Sequence, residues 1–569
     1  MKRSMISNRS FAAASLLVFG LLFSSCDLSG FDTLEDKIAV ALDIPGVATT
    51  YSFQLQDAAT GEDLTSSARV VFSGSDAASI IDPIFFDNVE ELEVGDGFFT
   101  VGLSDDRVPS GESLVQFSVY VEAAGYEATL QKVVTDNTGD YQVSVLMVAK
   151  SAPPTGVVSQ SQQTGTATGG VTSQPIQVAT QPDATTGGAA SVALPAATQL
   201  TTASGTPLQG SLQTQVTYFN NQDPSSLTAF PGGLTNVSAQ TQGQGQQTGG
   251  FVSGGFVSIN ITDQNGNQAA NLSNSATVVM PVPANTINPE TGNQVQAGDT
   301  IPLWSLEPAS GEWVQEGTVT FESSAGKGRT EVGTELFVEF ETPHFSWFNL
   351  DWFQYGAQNC SYRTPFRIEL AGNDLQRTLL LRASRRGGGW SQQVYVNGRD
   401  TSHQFYNFPQ FVSDIDVEVL YDGAVIGTGF ASGPVCGQVL PIALTFPPVA
   451  DLVDVDLTVA VECPADGGGT TIINPSYPFQ IRKSGGQVWS GVSLEGGNTL
   501  IRGLEYNALY DFRGSFLDNG QPTTETRSFP INENTDPGGD ITLIAGSRDG
   551  DLVTLRYRIQ DNQSVCDNL

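Results

Sequence analysis

The chain contains two histidines, His344 and His403. Two imidazoles exclude a three-histidine metal site and leave little material for Ser-His-Asp or Cys-His nucleophilic catalysis. His344 stands two residues before Ser346 in the run Thr342-Pro-His-Phe-Ser-Trp-Phe-Asn349. Residues i and i+2 share one face of a strand, but no G-x-S-x-G elbow or oxyanion-hole glycine pattern accompanies them. His344 is therefore read as a strand-end histidine that hydrogen-bonds a neighbouring strand. His403 lies among Asn, Arg, Asp, Thr and Ser and is expected to be an exposed loop residue.

Acidic turns are the next chemical candidates. Asp136–Asp140, Asp263–Asn267 and Asp549–Asp551 each set oxygen side chains around a glycine. None completes a twelve-residue calcium loop with its terminal glutamate, and hairpins demand the same residue types. A glycosidase-type hydrolase would need two buried acids in one cleft, and placement of the acids in strands and turns argues against it. Aromatic-rich stretches at 390–395 and 405–411 serve equally as sugar platforms or core strands.

Of five cysteines, Cys26 stands apart near the N-terminus. The other four, Cys360, Cys436, Cys463 and Cys566, allow three disulfide connectivities. Position favours Cys360 with Cys436 and Cys463 with Cys566, because each pair then brackets one expected domain. The spacings do not form CxxC pairs, so no zinc site is expected. No cofactor is expected either.

These residues must be held by a chain of 569 residues, of which 15% are charged and 39% hydrophobic. Its 61 Gly and 29 Pro favour turns over long helices. Sixty acids against 25 Lys and Arg give a net charge of −35, which excludes wrapping of nucleic acid. Only six residues are lysine, and no Lys or Arg occurs between Lys150 and Lys327. Such a surface stays soluble where concentrated salt screens self-repulsion, as expected of salt adaptation.

The N-terminus reads as an address. Lys2, Arg3 and Arg9 precede the apolar run 11–23, which is too short to span a bilayer and fits a signal h-region. Leu22-Phe-Ser-Ser-Cys26 resembles a bacterial lipobox, with Phe23 departing slightly from the usual Leu, Val or Ile. Lipidation at Cys26 would follow removal of residues 1–25. That removal takes away three positive charges and no acid, changing −35 to −38.

The expected architecture is all-β: a string of immunoglobulin-like β-sandwich modules. Residues 1–25 are the signal peptide and 26–36 a tether. A sandwich follows at 37–150, then a Ser/Thr/Gln/Gly-rich flexible linker at 151–186. A β-rich module at 187–356 contains the polar tract 240–250, expected as a long loop. Two more sandwiches span 357–446 and 452–569. Val115, Phe117, Val119 and Val121 alternate with Gln116, Ser118 and Tyr120, the period of a half-buried strand.

Two stretches carry family resemblances. Val121-Glu-Ala-Ala-Gly-Tyr126 resembles the A-x-GY turn of carboxypeptidase-regulatory-like and immunoglobulin-like modules, where it is structural. Within 190–365, Gly255-Phe-Val-Ser-Ile-Asn-Ile-Thr-Asp263, Ala276-Thr-Val-Val-Met280, Ile301-Pro-Leu-Trp-Ser-Leu-Glu-Pro-Ala-Ser-Gly-Glu-Trp-Val-Gln-Glu-Gly317 and Trp347-Phe-Asn-Leu-Asp351 follow in order. This series resembles the extracellular β-rich module of cartilage intermediate layer proteins, as does the cysteine shortly after FNLD, here Cys360. The resemblance implies a secreted, non-catalytic matrix or scaffold role and transfers no ligand. Trp304 and Trp313 are expected to pair across a hairpin in the core.

The expected role is non-catalytic: a lipid-anchored cell-envelope protein, at the outer membrane and surface-exposed, acting in surface binding, adhesion or scaffolding. Its partners would be the membrane, through the lipid, and a surface protein or glycan. A carbohydrate-binding lipoprotein of a polysaccharide uptake system is the alternative, marked by coplanar exposed aromatics. A carboxylate-dependent hydrolase ranks third.

Overall fold

A computed structural model describes residues 40–43, 46–182, 188–307, 310–323, 336–355, 360, 364–372, 377–396, 401–405, 408–410, 412–448, 451–464, 470–518 and 521–560. The fold is all-β, built from several sheets packed as sandwiches. The helix Pro224–Thr228 has five residues, and Asp223 caps it by accepting from the Ser225 amide. No helix among the described residues is long and apolar enough to cross a membrane.

The first sandwich packs two four-stranded sheets. One holds Ile80–Ile81, Phe98–Leu103, Thr49–Asp57 and Gly139–Met147; the other holds Glu91–Val94, Ala68–Ser73, Val115–Ala123 and Thr129–Thr135. The alternation in Val115–Ala123 does what its period requires. Val115, Phe117, Val119 and Val121 are at most 1% exposed, and Phe117 packs edge-on to Tyr51 at 5.0 Å. Ser118 on the other face is also buried, because the central module covers that sheet. Gly311 of that module, at φ +70°, lies so close that an added Cβ would meet the Leu130 side chain at 2.8 Å.

The expected 37–150 module does not keep its first strand. Val40–Asp43 instead pairs in parallel with Thr470–Asn474 of the C-terminal module. The backbone ladder decides this, since a four-residue strand has no strong side-chain preference of its own.

The 151–186 segment is not a free linker. Val157–Thr168 runs antiparallel to Gly210–Phe219, and Ile176–Ala179 pairs with Ser191–Leu194. The composition argument fails here because the neighbouring strand supplies the missing partners. Thr164 and Thr214 share a hydrogen bond at 2.7 Å, and Ser159 and Thr217 one at 2.9 Å. The sparse apolar residues Val157, Ala167, Ile176 and Val178 fall on buried positions. The polar tract 240–250 is likewise a tight hairpin, with Val237–Thr241 paired to 245–249.

Within the central module, pairing returns on itself. Gly245–Thr262 pairs with Val237–Thr241, which pairs in parallel with Glu312–Thr320. Glu312–Thr320 pairs with Thr300–Glu307, and that with Trp347–Tyr355. Trp347–Tyr355 pairs back to Gly245–Thr262. Five strands thus close into a ring filled by Phe251, Trp304 and Trp313, all at most 1% exposed. The hairpin register sets Trp304 opposite Gln315 and Trp313 opposite Leu306, so the two tryptophans do not face each other as expected. Both pack on Phe251, at 5.2 and 6.1 Å, and Trp313 stacks on Phe230 at 5.0 Å.

The third module pairs Ser402–Phe405, Phe366–Ala371 and Val439–Ala443 in one sheet, with a four-stranded sheet opposite. Its hydrophobic core is continuous with that of the central module. The expected boundary between these two modules is therefore not a break in packing. The C-terminal module has its own core around Val453, Val455, Ile481 and Val553.

Candidate binding groove

The modules are joined by desolvated polar contacts. In the turn that follows Val121, Glu127 is 4% exposed and points into the central module. There it accepts from Gln215 Nε2 at 2.9 Å, Thr217 Oγ1 at 2.5 Å and Ser258 Oγ at 3.1 Å. Nearby, Lys132 Nζ donates to the Asn236 carbonyl, and burial pulls its ammonium down to about 8 while Glu312 opposes the shift. The A-x-GY turn is thus a joint.

At the other side of the first sandwich, Arg513 of the C-terminal module is clamped. Its side chain is 4% exposed and ion-paired to Asp63. The guanidinium lies between Phe98 at 4.1 Å and Trp489 at 4.0 Å, and Nε donates to Gln480 Oε1 at 2.8 Å. Thr524 Oγ1 donates to the Phe98 carbonyl at 3.1 Å across the same seam. Between the third and fourth modules, the Gln487 amide donates to Asp422 Oδ1 at 2.6 Å.

The residues whose types suggested chemistry resolve into framework roles. His344 ends the strand Leu336–His344, and its Nε2 meets Glu316 Oε1 on Glu312–Thr320, a strand of the module's other sheet, at 3.2 Å. That bond leads the effects holding the Glu316 carboxyl below its ordinary range, against desolvation. Ser346 Oγ donates to the Leu306 carbonyl at 2.5 Å, so its proton is directed at backbone rather than at a base. His403 is not the expected exposed loop residue. It sits in the strand Ser402–Phe405, half-buried, edge-on to Phe405 at 4.7 Å, and burial pushes its imidazole down to about 4. Polar neighbours in sequence concealed a position that sheet pairing covers.

The buried acids among the described residues are Asp82, Glu127, Asp263, Asp351 and Asp511. Asp82 accepts from the Ile84 and Phe85 amides. Asp263 folds its own turn, accepting from the amides of Gln209, Asn265 and Asn267. Desolvation opposes, but these bonds hold its carboxyl below the usual range. Asp511 takes Ser484, Ser528 and Arg482. Asp351 is fully buried, with Asn349 Nδ2 donating to it. Burial raises its carboxyl well above the usual range, with Ser253 and Asn349 opposing.

Among the turns read as calcium candidates, Asp140 accepts from Thr50 Oγ1 at 2.6 Å and from Ser493, and Asp549 closes the hairpin between Ile541–Asp549 and Leu552–Gln560. Among the described residues no group of three His, Cys, Asp or Glu is arranged to hold a metal ion.

Cys360 and Cys436 form a disulfide that closes 76 residues. They precede the module's first and last strands, Phe366–Ala371 and Val439–Ala443, which pair with each other, as bracketing implied. Cys463 is buried; Cys566, its expected partner, lies outside the described residues, as does Cys26. Of the aromatic stretches, Trp390, Phe405 and Phe408 are core residues at most 3% exposed, with Trp390 and Phe408 4.5 Å apart.

A groove of about 1120 Å³ remains in the central module. Its floor is Trp304, Trp352, Phe353 and Tyr355; one wall is the 241–244 turn and the other the 287–299 loop. The loop is braced by its own backbone, with Val295 donating to the Thr286 carbonyl at 2.9 Å and Asn288 to the Asn293 carbonyl at 2.9 Å. Gln315 ties floor to wall, its Oε1 accepting from the Gln242 amide at 3.0 Å. Phe353 and Tyr355 are half-buried with roughly parallel rings, their planes 19° apart and their centroids 6.0 Å apart. Phe353 rests over Gly249, where an added Cβ would meet the ring at 2.7 Å. The FNLD motif alone does not reveal this row; its signal in the sequence is the i, i+2 aromatic repeat just beyond the motif.

No family model matches the chain, and no curated protein matches it. Solved structures offer distant neighbours. The pilus adhesin SpaC of Lactobacillus rhamnosus GG aligns at 11% identity and a TM-score of 0.13, over 72% of this chain and 57% of SpaC. The pilus protein RrgB of Streptococcus pneumoniae aligns at 9% identity and 0.14, over 92% and 100%. The major pilin SpaD of Corynebacterium diphtheriae aligns at 8% and 0.13, over 91% and 98%. This chain spans little more than half the length of SpaC.

Proposed function

We propose that the chain is a non-catalytic, lipid-anchored protein of the bacterial cell envelope that binds or scaffolds at the surface. The observation carrying this reading is the way its polar chemistry is spent. His344, Ser346 and the buried acids Asp82, Asp263, Asp351 and Asp511 are each engaged in framework bonds within their modules. Arg513 and Glu127 are engaged in holding modules together. Desolvated charge at joints fixes geometry, which a binding scaffold requires.

Cys26 is the proposed lipidated residue, after cleavage of residues 1–25, with 26–36 as tether. Two experiments test the reading. Protease shaving of intact cells is expected to release peptides from 187–569. Release only after the outer membrane is breached would move the protein to the periplasm. Cys26→Ala is expected to free the protein from membranes on fractionation, and unchanged membrane association would refute the anchor.

A further inference from the structure

We propose that the groove floored by Trp352, Phe353 and Tyr355 binds a neutral oligosaccharide. The inference rests on the reading of the chain as a binding protein and names the ligand class of its groove.

Three physical features converge on that class. The first is the aromatic row. Phe353 and Tyr355 stand roughly parallel, with planes 19° apart, and a half-buried aromatic ring bordering the groove suits the C–H face of a pyranose ring better than a flexible aliphatic chain. Gly249 makes this possible, because any side chain there would displace Phe353. The second is the lining chemistry. Gln242, Gln244, Asn288, Asn293, Gln296 and Gln315 surround the row. A primary amide offers two donors and an acceptor on one planar group, which matches vicinal hydroxyls that both donate and accept. The third is charge. The groove's charged lining is Glu290 and Asp299, and no Lys or Arg occurs in 151–326. A uronate, sulfate or phosphate would be desolvated beside like charge without a cation. A neutral polyol carries no such penalty.

Shape agrees. The volume of about 1120 Å³ lies just above the usual range of small-molecule sites and accommodates several sugar rings. The braced 287–299 loop forms a preformed wall, which limits the ordering cost of binding.

The test uses the chain from residue 27 onward and isothermal titration with neutral gluco-, xylo- and manno-hexasaccharides, an alginate hexasaccharide, and an extended peptide library. At least one neutral hexasaccharide is expected to bind. Tyr355→Ala is expected to weaken it about tenfold, and Gln315→Ala about fivefold. The alginate hexamer is expected to bind at least tenfold more weakly. Should Tyr355→Ala lose its cooperative thermal transition, Gln315→Ala and the change in tryptophan emission on titration decide. No binding by any neutral sugar overturns the proposal. So does preference for alginate or peptide, or affinity unchanged in both variants. Such a failure leaves the surface location standing, because shaving and fractionation read that separately.

Discussion

Asp351, fully buried, and His403, half-buried in its strand, are two titratable groups whose burial makes stability depend on pH. The Asp351 carboxyl is raised by burial, above an unfolded value of about 3.9. The unfolded chain then ionises first, so the contribution of Asp351 is full below about pH 4 and is lost as pH rises. Asp351→Asn keeps the shape and removes the ionisation. It is expected to be most stabilising, relative to the parent, at pH 7–8 and least so near pH 4, by thermal melts across that range. A constant difference would refute the assignment. His403 runs the other way. Its folded value of about 4 lies below the unfolded value of about 6.5. The unfolded chain binds the proton first, so stability falls as pH drops from about 6.5 towards 4, at up to about 1.4 kcal/mol per pH unit. His403→Asn is expected to flatten that part of the profile. The role of His344 is legible in sequence because a strand-end histidine needs only a neighbouring acid. That of His403 is not, because its burial is decided by strands far away in sequence.

The elements most clearly written in the sequence are those whose own period supplies a buried face. Val115–Ala123 is the example, with Val115, Phe117, Val119 and Val121 buried on one face. The strand Val157–Thr168 is illegible for the opposite reason: its ladder and cross-strand hydroxyl bonds come from Gly210–Phe219. Two joints between elements carry predictions. Arg513→Ala removes a cation held between Phe98 and Trp489 and paired to Asp63. A loss of about 3 kcal/mol or more is expected for breaking a buried pair, seen as a red-shifted Trp489 emission and faster proteolysis between the first and last modules. Unaltered emission and proteolysis would mean the seam is held elsewhere. The Cys360–Cys436 bridge closes 76 residues, for which chain entropy gives about 4.5 kcal/mol. Replacing both by Ser is expected to lower the third module's stability by up to that amount. A non-reducing digest should yield the linked peptides, and a Cys463–Cys566 pair is expected beside them.

At the scale of the molecule, the modules are not beads on a stalk. The first sandwich touches the central module through Glu127 and the C-terminal module through Arg513, and the central and third modules share one core. Small-angle scattering is therefore expected to show a more compact particle than an extended string, and Arg513→Ala to expand it. The net charge of −35 is unopposed by lysine over most of the surface. Raising KCl into the molar range is expected to raise the melting temperature by screening self-repulsion. A flat response would count against salt adaptation.

Residue type and short-range period were enough to read the all-β class and the positions of many turns, and the position of the cysteines favoured the Cys360–Cys436 bridge that the folded chain shows. Only the folded chain settled which polar strands find partners, where Val40–Asp43 adds its edge, which aromatics are core and which line a groove. Those outcomes depend on backbone ladders and burial between segments that can lie hundreds of residues apart, and local pattern carries no information about such distant neighbours.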